Sequence, residues 1–258
     1  MNKAIFITVR SGSKRLPQKC LLKINGKANI VRLITRLKMS KEADIIVLCT
    51  TTLPEDNRLC EIAENKGIFY YRGSIEDKLD RWNGACQKFD VEFFVTADGD
   101  DLLCEPELID LAFNQYKNTV ADFIEGKGLI CGAFTYAIKA AALKKVCEIK
   151  NTSDTEMMWV YFTDTGLFNV QELQNIPEIF KRPEIRMTLD YDEDLVFFKT
   201  IIESLEKENK DFTLRDVVAF LDKNPQVIMI NQFLQERFLA NQKAKTKLVI
   251  KRSANGQN

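Results

Sequence analysis

The feature that most constrains the fold is an alternation of apolar, strand-like runs with amphipathic, helix-like stretches. Segment 29–39 (NIVRLITRLKM) places its apolar residues on one helical face, and segment 194–205 repeats this pattern. The strand-like runs lie at residues 4–9, 44–50, 68–71 and 92–97. Repeated strand, helix and strand units form parallel sheets with right-handed crossovers. We therefore predict an α/β fold with a mostly parallel central sheet.

The second half of the chain interrupts this alternation. Segments 121–126 (ADFIEG) and 131–138 (CGAFTYAI) are typical of two paired, antiparallel strands. Segment 151–164 is irregular and rich in aromatic residues. We expect these side chains to be buried rather than to bind a ligand, because aromatic residues pack in cores more often than they bind ligands. We predict that residues 127–185, approximately, form an insertion in the main domain.

Length and composition favour a single domain. The chain has 258 residues, of which 45% are hydrophobic, so it can bury a full core. It contains no internal repeat, low-complexity tract or linker rich in proline and glycine. We therefore predict one domain over residues 1–242, followed by a basic tail over residues 243–258 whose tip is mobile.

The overall charge argues against partners that act through a strong electrostatic field. Lysine plus arginine and aspartate plus glutamate each number 37, which gives a net charge of zero. A neutral balance provides no general attraction to nucleic acid or anionic lipid. The apolar run near the N-terminus reaches Arg10 too soon for a signal peptide or a membrane span. We expect a cytoplasmic protein with no nucleic-acid or membrane partner.

The usage of histidine and cysteine narrows the possible chemistry. The chain has no histidine, which excludes Ser-His-Asp triads, Cys-His dyads and metal sites built on imidazole. Its seven cysteines are scattered and form no CxxC pair, which disfavours a disulfide framework or a structural zinc site. Any catalysis must therefore use carboxylates, cations, hydroxyl groups and a bound metal ion.

A basic loop, residues 10–19 (RSGSKRLPQK), follows the first predicted strand. In an open parallel sheet, ligands bind at the carboxyl ends of the strands, so this loop is placed to hold an anion such as a polyphosphate. The candidate groups are the backbone N–H groups of Ser11, Gly12 and Ser13 and the side chains of Arg10, Arg15 and Lys19. A solvated basic turn is the alternative. The loop matches neither a P-loop nor GxGxxG, which disfavours a dehydrogenase-type dinucleotide binder.

The pattern R-x-G-S-x-R-L-P-x-K in this loop is more specific than its charge. It resembles the opening of the cytidylyltransferases that activate acidic sugars, which include the 3-deoxy-manno-octulosonate and acylneuraminate enzymes. Four later segments resemble the same family in order, in a form similar to its spore-coat-polysaccharide-type branch. These are residues 50–59 (TTTLPEDNRL), 72–82 (RGSIEDKLDRW), 97–110 (ADGDDLLCEPELID) and 186–199 (RMTLDYDEDLVFFK). The resemblance covers roughly residues 3–205.

The resemblance implies a fold and an activity. The fold would be the Rossmann-like nucleotide-diphospho-sugar transferase fold, with the insertion serving in dimerisation or as a lid, and the protein a homodimer. The activity would be Mg²⁺-dependent transfer of CMP from CTP to a hydroxyl group of an acidic sugar or small acid, with release of pyrophosphate, as in polysaccharide biosynthesis. Such a transfer needs alignment and charge neutralisation more than covalent catalysis.

The resemblance also implies roles for individual residues. Arg10, Arg15 and Lys19 would hold the triphosphate and the leaving pyrophosphate, and Asp100 and Asp190 would bind Mg²⁺. The implied nucleotide-binding residues are Ser11, Gly12, Ser13, Thr50, Thr51, Asp56, Gly73, Ser74, Asp77 and Asp80. The carboxylates have a structural alternative, because acids in these positions also cap helices or occupy their first turns.

The acceptor side departs from the family pattern. The family has Gly-Asp-x-Pro-Leu in segment 97–110, whereas this chain has Asp101 and Leu102 in place of x-Pro. Met157 stands where the spore-coat branch has a histidine. We expect an altered acceptor pocket, with Glu156 and Arg186 as acceptor-binding candidates. Arg182 is a further candidate, and the alternative for both arginines is an ordinary surface position.

Two other functions remain open at this point. The chain could transfer a different nucleotide, or use an acceptor that is not a sugar acid. It could also be a non-catalytic homologue that binds a nucleotide for regulation or assembly. Binding of CTP that tolerates loss of Asp100, without turnover, would identify the second case.

Overall fold

The computed structural model describes residues 2–13, 15–209 and 211–251. Within them, seven strands form one sheet and two short strands form a separate hairpin. The strands are β1 Lys3–Thr8, β2 Lys23–Ile24, β3 Lys27–Ala28, β4 Ile45–Thr51, β5 Phe69–Gly73, β6 Phe93–Asp98, β7 Phe123–Glu125, β8 Tyr136–Lys139 and β9 Val170–Glu172. The four runs predicted as strands correspond to β1, β4, β5 and β6, which confirms them.

The sheet is mostly parallel, in the order β5-β4-β1-β6-β8-β7-β9. Strand β1 lies between β4 and β6 and is parallel to both, with Phe6 opposite Val47 on one side and Thr96 on the other. Strand β8 is antiparallel to β6 and β7, and β9 is parallel to β7. The predicted α/β class, the mostly parallel sheet and the antiparallel pair in segments 121–138 are therefore confirmed.

The same described residues contain ten α-helices and two short 3₁₀ helices. The helices are α1 Asn29–Leu37, α2 Asn57–Asn65, α3 Lys78–Phe89, α4 Pro106–Asn118, α5 Ala140–Ile149, α6 Val160–Thr163, α7 Asp192–Glu208, α8 Leu214–Lys223, α9 Pro225–Ile228 and α10 Leu234–Lys245, with 3₁₀ turns at Pro54–Asp56 and Glu178–Phe180. The predicted helices over 29–39 and 194–205 are confirmed as α1 and α7. None of the helices in the described part of the chain is long and apolar enough to cross a membrane.

The sheet separates two hydrophobic cores, because successive side chains of a strand point to opposite faces. Ile5 and Ile7 of β1 belong to one core, together with residues of α1, α4 and α7. Ala4 and Phe6 of β1 belong to the other core, which includes Trp82 of α3. Both cores bury their strand residues fully, as expected for a parallel sheet covered by helices on both faces. The central strands are thereby fixed, and their carboxyl ends carry the loops described below.

The predicted insertion, residues 127–185, is built into this architecture. It supplies β8 and β9 to the central sheet, and α5 and α6 pack on one face of the sheet. The aromatic side chains of its irregular segment are largely buried, and the ring of Phe162 stacks on Phe123 of β7 at a centroid distance of 4.8 Å. The predicted lid or dimer role of this region remains a prediction.

The C-terminal part of the chain returns to the body of the protein. After α10, Ile250 forms an antiparallel bridge with Lys150, and the backbone N–H of Asn151 donates to the carbonyl of Val249 at 2.8 Å. The predicted tail therefore includes a docked segment up to Lys251. Its predicted mobile tip, residues 252–258, lies outside the described residues.

Candidate active site

The carboxyl ends of β1, β4 and β6 bring two loops together at one edge of the sheet. The N–H of Val9 donates to the carbonyl of Cys49 at 3.2 Å, and the N–H of Gly99 donates to the carbonyl of Thr8 at 2.8 Å. A Cβ atom on Gly99 would lie 2.6 Å from Cγ2 of Val9, so only glycine allows this approach. The basic loop 10–19 and the acidic loop that follows β6 therefore leave the sheet side by side.

Lys19 joins the two loops to a third. Its Nζ atom lies 2.5 Å from Oδ2 of Asp100 and 2.8 Å from Oδ1 of Asp190, which directly precedes the segment that enters α7. Burial lowers the pKa of Lys19, but the two carboxylates outweigh this effect and raise the pKa above its ordinary value. The structure thus brings together the predicted catalytic lysine and both predicted metal ligands around one permanent positive charge.

Asp190 is held by two more cations. Nη2 of Arg15 lies 2.5 Å from its Oδ1 atom, and Nη2 of Arg186 lies 3.2 Å from its Oδ2 atom. Burial raises the pKa of Asp190, but Lys19 and the two arginines hold the pKa below its ordinary value. Asp190 is therefore a carboxylate at neutral pH, with both oxygen atoms in defined positions.

Arg186 does not occupy the ordinary surface position that was the alternative to its predicted acceptor-binding role, and that role remains a prediction. Its side chain is fully buried, and Nε and Nη2 pair with the two oxygens of Asp194 at 3.0 and 3.2 Å. Nη1 donates to Oε1 of Gln235 at 3.2 Å. An acceptor carboxylate could reach this guanidinium only by displacing these partners. Arg182, in contrast, is a surface arginine paired with Asp222 at 2.9 Å.

An acidic cluster surrounds Asp100. One carboxylate oxygen from each of Asp98, Asp100 and Asp101 lies within 4.8 Å of the other two. Burial, together with the charges of Asp100 and Asp98, raises the pKa of Asp101 well above its ordinary value. Lys78 offsets part of this charge, with Nζ 3.3 Å from Oδ1 of Asp98. Carboxylates that repel one another in this way are hard oxygen donors of the kind that Mg²⁺ prefers, so the donor set fits the predicted metal.

Asp56 shapes the basic loop from within. It is fully buried, its Oδ1 accepts the N–H of Ser11 at 2.7 Å, and its Oδ2 accepts the hydroxyl of Thr51. Burial raises the pKa of Asp56, but the bonds from Thr51 and Ser11 lower the pKa below its ordinary value. The N–H of Ser13 donates back to the carbonyl of Ser11 at 2.9 Å, while Gly12 is exposed. Asp56 and Thr51 therefore fix the start of the loop, and Thr50 is buried beside them at the end of β4.

The segment after β5 has two different parts. Gly73 and Ser74 face the buried side chain of Arg81, whose Nη1 donates to the carbonyl of Ser74 at 2.6 Å and whose Nε has no partner among residues 2–13, 15–209 and 211–251. Asp77 caps α3 by accepting the N–H of Asp80 at 3.0 Å, and Asp80 itself is exposed in the first helical turn. Asp77 and Asp80 thus occupy the helix-cap and first-turn positions that were the structural alternative to nucleotide binding.

Both oxygens of Asp77 have further partners in the predicted insertion. Its Oδ1 accepts the hydroxyl of Thr155 at 3.0 Å, and its Oδ2 forms an ion pair with Nζ of Lys150. The adjacent Glu156 is exposed, and its ion-pair partner in the described part of the chain is Lys245, at 3.6 Å. The structure therefore places Glu156 beside α10 and shows no contact between it and the Lys19 network.

Several residues at the site carried no signal in the sequence. Asn231 donates from Nδ2 to Oδ1 of Asp194 at 2.9 Å and to the carbonyl of Arg186 at 3.1 Å. Phe238 of α10 lies under the guanidinium of Arg186, with a distance of 4.6 Å to the ring centroid. Both residues lie beyond the segments that carry the family resemblance, and nothing in their local sequence pattern marks them as site residues.

Comparison with known proteins decides the family. The family model described as "Cytidylyltransferase" matches residues 4–244. The chain belongs to the cytidylyltransferase family. This membership confirms the resemblance seen in the sequence and makes the chain a nucleotidyltransferase that uses CTP to transfer CMP.

Individual relatives match over nearly their full lengths. An uncharacterized protein of Methanocaldococcus jannaschii is 33% identical over 90% of this chain and 95% of its own length. The spore coat polysaccharide biosynthesis protein SpsF of Bacillus subtilis is 25% identical over 87% of this chain and 96% of its own. The structure of a cytidylyltransferase from Leptospira borgpetersenii has a TM-score of 0.79 and 26% identity, and covers 88% of this chain and 97% of the other. These matches support the α/β nucleotidyltransferase fold described above.

Proposed function

We propose that this cytidylyltransferase uses Mg²⁺ to transfer CMP from CTP to a hydroxyl group of an acidic sugar or small acid, with release of pyrophosphate. The observation that carries the proposal is the convergence of Asp100 and Asp190 on the ammonium group of Lys19. Two carboxylates and a lysine at the carboxyl edge of a parallel sheet combine metal ligands with a phosphate-binding cation. Each of the three also occupies its place in the family motifs.

The phosphate-binding part would be the basic loop. Arg10 is exposed and has no ion-pair partner among residues 2–13, 15–209 and 211–251, so its charge is available to a ligand. Arg15 is 38% exposed and pairs with Asp190. Lys19 pairs with the same carboxylate and is less exposed. The backbone N–H of Gly12 would add a donor, because those of Ser11 and Ser13 already donate to Asp56 and to the carbonyl of Ser11. This arrangement would neutralise the triphosphate and the negative charge that grows on the leaving pyrophosphate.

Asp100 and Asp190 would hold Mg²⁺, with Asp98 and Asp101 as neighbouring acids. Enzymes of this family typically use a divalent metal ion. When bound, such an ion polarises phosphoryl oxygens and lowers the pKa of a nearby hydroxyl group. The protein's own part is to keep Asp190 ionised through Arg15 and Arg186 and to keep Lys19 charged.

The nucleoside would lie between the ends of β4 and β5. Gly73 and Ser74 offer backbone groups there, and the buried Arg81 offers an Nε–H that has no partner in the described part of the chain. A buried donor without a partner costs free energy unless a ligand uses it, which supports a role for Arg81 beside the predicted residues. Thr50, Thr51, Asp56 and Asp77 would act mainly by shaping this surface, because their side chains are buried.

The proposed acceptor class is supported by the family resemblance and by the name of the Bacillus relative, which refers to polysaccharide biosynthesis. Arg15, which is 38% exposed and pairs with Asp190, and the exposed Arg10 suit a negatively charged acceptor as well as CTP. Glu156 would contact the acceptor only if its loop moves from its position beside Lys245. A cytoplasmic homodimer remains our prediction, and light scattering of the purified protein would test the dimer.

A thermal-shift titration would test nucleotide use without an acceptor. The protein is titrated with CTP, UTP, ATP and GTP, with and without Mg²⁺, as wild type, Asp100→Asn and the control Asp211→Asn on an exposed loop. A ligand at a hundred times its dissociation constant adds about 2.7 kcal/mol of stability. We expect a CTP-specific rise that needs Mg²⁺, is lost in Asp100→Asn and is kept in Asp211→Asn.

Release of pyrophosphate is then measured with acidic sugars, neutral sugars and small hydroxy acids as acceptors. Turnover with an acidic acceptor supports the full proposal. CTP binding that survives in Asp100→Asn, without turnover, would identify a non-catalytic homologue. A response to another nucleotide, or to none with no turnover, would overturn the proposal.

A further inference from the structure

The side chains that hold Asp190 are themselves held by the C-terminal segment, residues 231–245. Asp190 receives Arg186 on its Oδ2 atom, and Arg186 is oriented by Asp194 through two hydrogen bonds at 3.0 and 3.2 Å. Asp194 also accepts the backbone N–H groups of Asp190 and Tyr191 at 2.9 and 3.0 Å. The location of the Asp190 carboxylate therefore depends on where Asp194 and Arg186 lie.

Asn231 contacts both Asp194 and Arg186. Its Nδ2 atom donates to Oδ1 of Asp194 at 2.9 Å and to the carbonyl oxygen of Arg186 at 3.1 Å. Asn231 is fully buried, and its Oδ1 atom has no hydrogen-bond partner within the described residues. A leucine, whose side-chain heavy atoms branch in the same way, would avoid that oxygen, so the contribution of the amide lies in its donor to the carboxylate.

Helix α10 closes the other side of Arg186. Gln235 accepts Nη1 at 3.2 Å, and the ring of Phe238 lies one helical turn further, 4.6 Å from the guanidinium. Asn241 donates to the hydroxyl of Tyr191 at 3.4 Å, next to Asp190. Successive turns of one helix thus contact Arg186 and Tyr191, the residue that follows Asp190. A short, rotatable side chain such as Asp190 holds a fixed geometry when its neighbours are locked in this way.

We propose that Asn231 and Gln235 are positioning residues for the transfer reaction, which act on Asp190 through Asp194 and Arg186. Neither residue touches the predicted ligands, so their effect is on the geometry of the carboxylate that would hold the metal. The C-terminal segment is then part of the active site rather than an appendage to it. The inference rests on the proposed role of Asp190.

Binding of Mn²⁺ in the presence of CTP, measured from the electron paramagnetic resonance signal of the free ion, tests this inference without an acceptor. The variants are Asn231→Leu, Asn231→Asp and Gln235→Leu. The control is Asn224→Leu, which removes a comparable hydrogen bond to the carbonyl of Phe220 without contact to the site. We expect about tenfold weaker Mn²⁺ binding in Asn231→Leu and Gln235→Leu and unchanged binding in the control.

Asn231→Asp separates positioning from packing. It keeps the shape of the side chain but places a carboxylate against Asp194, so we expect it to weaken Mn²⁺ binding more than Asn231→Leu does. A packing role would make this near-isosteric change the milder one, and that order would overturn the inference. Gln235 is only partly buried, so Gln235→Leu remains informative if the Asn231 variants do not fold.

The wild-type result distinguishes this inference from the proposed function. If wild-type protein does not bind Mn²⁺ with CTP, the proposed metal role of Asp190 fails first. If wild type binds both and the Asn231 and Gln235 variants bind equally well, the proposed function stands and the positioning inference is wrong.

Discussion

The Nζ atom of Lys19 lies 2.8 Å from Oδ1 of Asp190, although 171 positions separate the two residues in the sequence. This contact joins the loop that leaves the first strand to the segment that enters α7. It also defines the point at which the nucleotide phosphates and the metal ion would meet.

Replacement of Lys19 by Met should disable nucleotide binding. Without the ammonium group, Asp100 and Asp190 repel each other and the triphosphate loses a cation. We expect the dissociation constant for CTP with Mg²⁺, measured by isothermal titration calorimetry, to rise at least tenfold, since hydrogen bonds to charged groups contribute about 1.5–3 kcal/mol. Lys23→Met, on the exposed β2–β3 hairpin, is the control. CTP binding of wild-type strength in Lys19→Met would contradict the assignment.

Arg10→Gln should weaken CTP binding without changing the free energy of unfolding. Arg10 is exposed and has no ion pair in the described part of the chain, so its loss removes charge and no packing. We expect a threefold to tenfold rise in the dissociation constant at low salt that shrinks at about 0.5 M salt, because screening weakens exposed charges. Arg58→Gln, an exposed arginine on α2, should show neither effect. Equal CTP affinity in Arg10→Gln at low salt would exclude Arg10 from the phosphate site.

Asp56→Asn should destabilise the protein at neutral pH and loosen the basic loop. The amide of asparagine keeps only one acceptor oxygen, so it cannot accept both the Ser11 N–H and the Thr51 hydroxyl, and we expect a loss of about 2 kcal/mol in the free energy of unfolding by urea. Because the pKa of Asp56 is lowered on folding, its contribution is complete above the unfolded pKa of about 4 and disappears as the pH falls through the folded value. The difference between wild type and variant should therefore shrink below about pH 4. A difference that grows with acidity would contradict the role of the Asp56 carboxylate.

Lys150→Met should be more destabilising than the double variant Lys150→Met with Asp77→Asn. The single change leaves the buried carboxylate of Asp77 without its cation, and removal of one partner from a buried ion pair costs about 3–5 kcal/mol. The second change removes the uncompensated charge and keeps an oxygen that can cap α3. Thermal unfolding of the two single variants and the double variant forms a thermodynamic cycle. Additive losses would show that the pair is not coupled.

The fold could be predicted from the sequence in large part. The runs that became β1, β4 and β6 are continuous and apolar, because these strands of a covered parallel sheet are largely buried on both faces, whereas β5 lies at the edge and is partly exposed. Helices α1 and α7 show one apolar face each, because they cover that sheet. The pairing of β7 with β8 also followed from local pattern. These features depend on residues that are close together in the chain, so the sequence alone shows them.

The candidate site could be predicted only as a set of residue types. The charged loop after β1 and the acids after β6 and before α7 were evident, and the family motifs marked Lys19, Asp100 and Asp190. The sequence did not distinguish buried from accessible members of the set, and Arg186 was assigned to the acceptor although its guanidinium is fully enclosed. Burial depends on what other segments pack against a side chain.

The sequence by itself determined the layered α/β fold, the absence of imidazole chemistry and the family to which the chain belongs, because these follow from local periodicity, composition and motifs. The tertiary structure alone decided which charges meet. It placed Lys19 between two carboxylates, enclosed Arg186 behind Asp190 and brought Asn231 and Gln235 to the same network from the last part of the chain. Electrostatic and hydrogen-bond contacts act over a few ångströms, and only the folded chain brings residues so far apart in sequence within that distance.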